Sequence, residues 1–143
     1  MNLLVAIADS PDSEVCLGEV ATRQWPNDTQ VRVLSVTNTF ATAPMPATGL
    51  PPTENELTEI ARRVAEHGME LLRAHGLNAR LRIRHGGAGS EIIAEAREWP
   101  ADLIVLGTHG RGAIQRAIHG SVSDYVMHHA PCSVEVARAR QPG

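Results

Sequence analysis

The 143-residue sequence contains no lysine, so all 13 of its basic residues are arginines. That absence excludes a Walker A phosphate loop, which needs Lys-Ser/Thr after its last glycine. Aromatic residues are scarce, 3% of the chain with one Phe and one Tyr, and the arginines are scattered along the chain without forming a stripe. Nucleic acid is therefore not expected as a partner, because neither stacking platforms nor a basic surface is provided. The two cysteines, Cys16 and Cys132, fit no Cys-x2-Cys pattern and are too few for a disulfide framework. Both sit among apolar neighbours and are expected as small core side chains. No run approaches the ~18 apolar residues of a membrane span, and no charged leader with a cleavage site opens the chain. No membrane partner is expected, and the cytoplasm is the expected location. Seven histidines are present, but none forms a His-x3–5-His or His-Glu-x-x-His set, so no protein metal site is expected.

What is present is an alternation of short apolar runs with amphipathic stretches. Residues 2–8, 31–36, 79–84, 103–106 and 133–137 read as strands. The run Leu3-Leu4-Val5-Ala6-Ile7 is apolar without a break, as in a strand covered on both faces. Ser10-Pro11-Asp12 opens a helix to about residue 25, with Ser10 as cap and Pro11 where no N–H is needed. Thr53-Glu54-Asn55-Glu56 matches a capping box and opens a helix to about residue 75, closed by Gly76, with an apolar stripe of Leu57, Ile60, Ala61, Val64, Leu71 and Leu72. Ser90 or Gly89 is expected to cap a helix over 91–99, and the glycine-rich 85–90 segment before it reads as a turn. Arg80, Arg82 and Arg84 alternate with Leu81 and Ile83, so strand three is expected at an edge, with its arginines solvating that edge. Residues 37–52, with four prolines, read as a flexible loop, and residues 139–143 as a frayed tail. The order βαβαβαβαβ implies one α/β domain over 1–143 with a parallel sheet and right-handed crossovers.

The most informative stretch is Leu103-Ile104-Val105-Leu106-Gly107-Thr108-His109-Gly110-Arg111-Gly112, with Gly120-Ser121 further on. A buried strand ends in glycine, and the glycines let backbone N–H groups line an anion-sized hollow. Ser121 begins a helix, with Asp124 placed to answer an N-cap serine. A helix N-terminus, free amides, Arg111 and a hydroxyl together describe a phosphate site.

The spacing Gly107-x2-Gly110-x9-Gly120-Ser121 resembles the nucleotide-binding signature of the universal stress protein family, in its ATP-binding subgroup. Leu4-Val5-Ala6-Ile7-Ala8-Asp9-Ser10 is similar to that family's first strand and its acidic end, and His129-Ala130-Pro131-Cys132 to its closing helix and turn. The resemblance implies an open five-stranded sheet of order 3-2-1-4-5 with helices on both faces, Rossmann-like and adenine nucleotide alpha hydrolase-like. It implies ATP, with ADP or AMP as alternatives and a magnesium ion bridging the phosphates. Adenine is implied near Ala8, Asp9 and Val36, the ribose and α-phosphate over Leu106 and Gly107, and the phosphates on His109, Gly110, Arg111, Gly120, Ser121 and Val122. A homodimer through strand five (Val134, Val136) is implied as well.

Two departures stand out. Asp9-Ser10-Pro11 replaces the Asp-Gly-Ser of many relatives, and Glu135 occupies a position that is mostly apolar in the family, where it could instead blunt an open edge. No nucleophile or acid–base pair is placed by the sequence, so His109 is expected to donate to a phosphate oxygen. The expected function is a nucleotide-dependent stress-response or regulatory module and not an enzyme. Two alternatives stay open, a slow ATP hydrolase or phosphotransferase and a nucleotide-free interaction module of the same fold.

Overall fold

A computed structural model describes residues 1–37, 49–107 and 121–138. In chain order the elements are β1 (Asn2–Ala6), α1 (Pro11–Thr22), β2 (Gln30–Thr37), α2 (Glu54–Ala74), β3 (Asn78–His85), α3 (Ala88–Glu98), β4 (Leu103–Gly107), α4 (Ser121–His129) and β5 (Ser133–Ala137). All strand pairs are parallel, in the order β3-β2-β1-β4-β5. Helices cover both faces of this Rossmann-like sheet.

Side chains alternate across a strand, so β1 feeds two cores. Leu3, Val5 and Ile7 join Cys16, Leu17 and Val20 of α1 and Ala65 and Leu72 of α2. Leu4 and Ala6 join Ile92, Ile93 and Ala96 of α3 and Val126 of α4. This two-sided burial is why the run reads as unbroken. Burial pushes the Cys16 thiol up to about 12, helped by the charge of Glu135, so it behaves as a core side chain. Cys132 is half-buried beside the second core, and its thiol is raised mainly by burial.

Helix ends follow local chemistry. Thr53 and Glu56 form the capping box, with Glu56 N–H donating to Thr53 Oγ1 at 3.1 Å and Thr53 N–H to Glu56 Oε2 at 3.2 Å. Gly76, at φ +87, closes α2 in a Schellman turn, its N–H reaching Arg73 O and that of Leu77 reaching Leu72 O.

Several expectations need correction. Helix α1 ends at Thr22, three residues early, and Trp25 turns back to donate from Nε1 to Val20 O at 2.8 Å. The buried stripe of α2 is Ala61, Ala65, Gly68 and Leu72, while Ile60 is 52% exposed. The helix turns its small residues inward because it lies close on the sheet: a Cβ at Gly68 would sit 2.7 Å from Ile7 Cδ1. Helix α3 starts at Ala88 with Gly87 as its cap, and the Ser90 hydroxyl donates back to Gly87 O at 3.0 Å. Strand β3 is an edge as expected, but two of its arginines do not merely solvate it. Arg82 and Arg84, with Arg32 of β2, converge on Glu95 of α3, whose side chain is only 1% exposed. Glu135 on β5 has a partner too. Arg23 grips it with two hydrogen bonds of 2.8 and 2.7 Å, tying β5 to the end of α1.

Candidate functional site

Strands β1 and β4 lie side by side, with Leu3 opposite Leu103 and Ala6 opposite Leu106. From β1 the chain runs outward through β2 and β3, then returns to β4 and continues to β5 on the other side. The direction of winding therefore reverses between β1 and β4, and sheets of this kind form their ligand crevice beyond the carboxyl ends of the two strands at such a point. Ala8 and Asp9 follow β1 and are exposed there, Val36 is half-buried near the end of β2, and Leu106 and Gly107 close β4. The N-terminus of α1 points at the same end, and α4 is described from Ser121 onward.

The turn from β1 into α1 is fixed by two serines. Ser10 Oγ accepts from Ser13 N–H at 3.2 Å, and Ser13 Oγ accepts from Ala8 N–H at 2.8 Å. Pro11 occupies the first turn of the helix, so the Asp9-Ser10-Pro11 variant yields a capped turn. The sequence places Ser13 only in the helix start; its position three residues after an N-cap serine is the signal for this bond. Gly107 has a packing role as well, since a Cβ there would lie 2.9 Å from Asp12 Cβ and 3.1 Å from the Asp12 carbonyl carbon. The missing side chain lets the first turn of α1 rest on the end of β4.

Two hollows flank the crevice. One, of about 210 Å³, lies between α1 and α2 and brings together Ala8, Asp9, Ser13, Val64 and His67; His67 Nε2 and Glu14 Oε1 meet across it at 3.0 Å. The other, of about 300 Å³, lies between the starts of α3 and α4 and brings Ser121 and Val122 beside Gly87 and Ser90. The glycine-rich turn before α3 thus shares a hollow with the predicted phosphate serine. The signal was Gly89, whose Cβ would be 2.7 Å from a ring carbon of Tyr125 on α4; the two helix starts approach because that side chain is missing. His109, Gly110, Arg111 and Gly120 lie outside the described residues. Among the described residues no group of three or more His, Cys, Asp or Glu could hold a metal ion, and no helix is long and apolar enough to cross a membrane.

A parallel sheet of this order, with helices on both faces and a crevice at its switch point, defines the doubly wound, Rossmann-like class of α/β proteins. The sequence pattern of the universal stress protein family matches residues 1–138, and the chain belongs to that family. A putative universal stress protein of Staphylococcus epidermidis is 28% identical over 98% of this chain and 85% of its own length. Among solved structures, hypothetical protein MJ0577 superposes with a TM-score of 0.85 at 22% identity, over 99% of this chain and 97% of that one. UspA from Lactobacillus plantarum follows at 0.69 and 25% identity, over 96% and 97%. The same fold is seen in an Arabidopsis thaliana family protein with AMP bound (TM-score 0.64, 16% identity, 98% and 92% covered). It is seen in a universal stress protein in complex with cAMP (0.68, 18%, 95% and 95%). The Archaeoglobus fulgidus protein in complex with dAMP shares it too (0.63, 20%, 96% and 97%).

Proposed function

We propose that this chain binds an adenine nucleotide, ATP in the first place, in the crevice beyond β1 and β4, and acts as a nucleotide-dependent regulatory module of the stress response. The observation that carries this reading is the convergence of the N-terminus of α1 and the glycine end of β4 on one switch point. Helix starts present unpaired N–H groups and the positive end of a dipole, which suit phosphate. That solved relatives hold AMP, cAMP and dAMP supports an adenosine ligand. Ala8, Asp9 and the Val36 backbone would meet the base. Leu106 and Gly107 would lie under the ribose and α-phosphate, and His109, Gly110, Arg111, Gly120, Ser121 and Val122 would hold the phosphates. Oxygen donors at this end, from Asp9 and Ser10, suit a hard cation. With no three-ligand protein cluster among the described residues, magnesium would be held by the phosphates themselves and neutralise their charge. The protein would work in the cytoplasm.

Heat-denatured purified protein should release adenine nucleotide into the supernatant. Gly110→Val should weaken ATP binding in calorimetric titration by about tenfold or more, ~1.4 kcal/mol, with a modest change in melting temperature. Wild-type affinity in that variant would reduce the loop to a turn and sink the nucleotide assignment. Sustained multi-turnover phosphate release, abolished by His109→Ala, would show an enzyme in place of a binding module.

A homodimer through β5 is part of the same reading. Strand β5 is the last in the sheet, and Val134 and Val136 are only half-covered by the second core. Glu135 is already neutralised by Arg23 on the opposite face, so it does not oppose a second copy through an unpaired charge. Sedimentation equilibrium at micromolar concentration should give the dimer mass; a monomer mass would exclude it.

A further inference from the structure

We propose a second, oxyanion-binding site at the opposite end of the sheet, built on Arg80 and Arg32 and sized for one phosphate group. In register, Gln30 of β2 faces Asn78 of β3, and Arg32 faces Arg80. Positions two apart on a strand share a face, so two amide side chains and two guanidinium groups project on one side. Trp99, the C-cap of α3, closes the hollow, with Arg32 Cζ 4.3 Å from its ring centroid. The space between them is about 150 Å³. At about 30 Å³ per water that suits a tetrahedral oxyanion with a little solvent. It falls short of the roughly 300 Å³ at which pockets for drug-sized ligands begin.

Charge favours an anion here. The α3 face of β2 and β3 carries Arg32, Arg80, Arg82 and Arg84, and α3 answers with Glu91, Glu95 and Glu98. The surplus cation is Arg80, which makes no ion pair or hydrogen bond among the described residues. Arg32 is paired through Nη1 with Glu95, so an oxyanion between the two arginines would chiefly balance the charge of Arg80 and share the rest of the Arg32 fork. Guanidinium forks bind phosphate in two-point fashion, and the side-chain amides of Asn78 and Gln30 add donors. Just past α3, the carbonyls of Trp99 and Pro100 accept from Asn2 Nδ2 at 3.0 and 3.2 Å, so these two oxygens are turned to Asn2. Because the site lies at the amino ends of β2 and β3, it is separate from the nucleotide crevice at the carboxyl ends.

The test is an NMR titration of the full ¹⁵N-labelled chain with inorganic phosphate at constant ionic strength, balanced with chloride. The Trp99 indole N–H and the Arg80 Nε–H, both remote from the nucleotide crevice, are followed with no nucleotide added. Saturable shifts at both groups in the low millimolar range or below are expected. Arg80→Gln, an exposed and unpaired position, should fold normally and weaken the Trp99 response by about tenfold or more. A linear response, a response that chloride reproduces, or unchanged affinity in Arg80→Gln would overturn the site. Acetate saturating at lower concentration than phosphate would overturn the assignment to a phosphate group. Gly110→Val should leave this titration unchanged, so failure of the nucleotide reading and failure of this site are told apart.

Discussion

Gly107→Val is expected to lower stability by about 2–3 kcal/mol, or roughly 6–10 °C in melting temperature for a chain of this size. The physical reason is contact with backbone. A Cβ at Gly107 would meet the Asp12 carbonyl carbon at 3.1 Å and its oxygen at 3.2 Å. A flexible side-chain tip could swing away, but the first turn of α1 can only retreat as a unit. Valine's better fit to a strand returns at most about 1 kcal/mol, which does not offset a displaced helix start. Nucleotide affinity should fall with stability, because the N-terminus of α1 and the end of β4 form two sides of the proposed site. Gly110→Val, by contrast, should lose binding and keep stability. Differential scanning calorimetry and calorimetric titration on both variants check the pair. A Gly107→Val protein that melts like wild type would show that α1 does not rest on β4 as described.

Glu95→Gln should have an effect of similar size and a characteristic dependence on pH. Burial alone would raise this carboxyl, but hydrogen bonds from Arg32 and Arg84 and the charge of Arg82 outweigh it and hold it below the ordinary carboxylate value. Removing one member of a buried ion pair costs about 3–5 kcal/mol. Here the three arginine side chains remain 29, 52 and 15% exposed, so solvent recovers part of their charge and about 2–3 kcal/mol is expected. A depressed folded value means that the stabilisation is complete above the unfolded carboxyl value of about 4.3, and that it is lost as pH falls through the lower folded value. Melting temperatures of wild type and Glu95→Gln should therefore differ most near neutrality and converge as pH drops below about 4. Curves that stay parallel down to acid would refute the ionised, arginine-bound state of Glu95.

The parts legible in the sequence were those with a local cause. Apolar runs marked β1 and β4, branched and alternating apolar residues marked the other strands, Thr53 and Glu56 announced their capping box, and Gly76 its left-handed turn. Strand order was not readable from the pattern; it came with the family resemblance, and the structure has it. The parts that were misread depend on a distant partner. Ile60 outweighs Ala65 on any hydrophobicity scale, yet Ala65 and Gly68 face the sheet because the helix packs close. Arg84 looks like a surface charge until Glu91, Glu95 and Glu98 are placed 7 to 14 residues further on. Asp9 follows β1, Leu106 and Gly107 close β4, and Ser121 lies in α4; their part in binding belongs to the proposed function. The 85–90 segment reads as a turn in the sequence and Ser13 only as part of a helix start, because their relation to the switch point is set by helix docking and not by spacing.

The central position of β1 also sets a timetable for synthesis. Its first neighbour, β2, follows about 28 residues later, but its second, β4, pairs Leu103 with Leu3, a separation of 100 residues. While the ribosome is still making the C-terminal third, β1, β2 and β3 can already assemble with α1 and α2. That partial sheet leaves Leu4 and Ala6 uncovered beside an unsatisfied hydrogen-bonding edge, the kind of surface on which nascent chains stick to one another or are held by chaperones. Pairing of the two strands that border the switch point therefore waits on residues made about a hundred positions after β1.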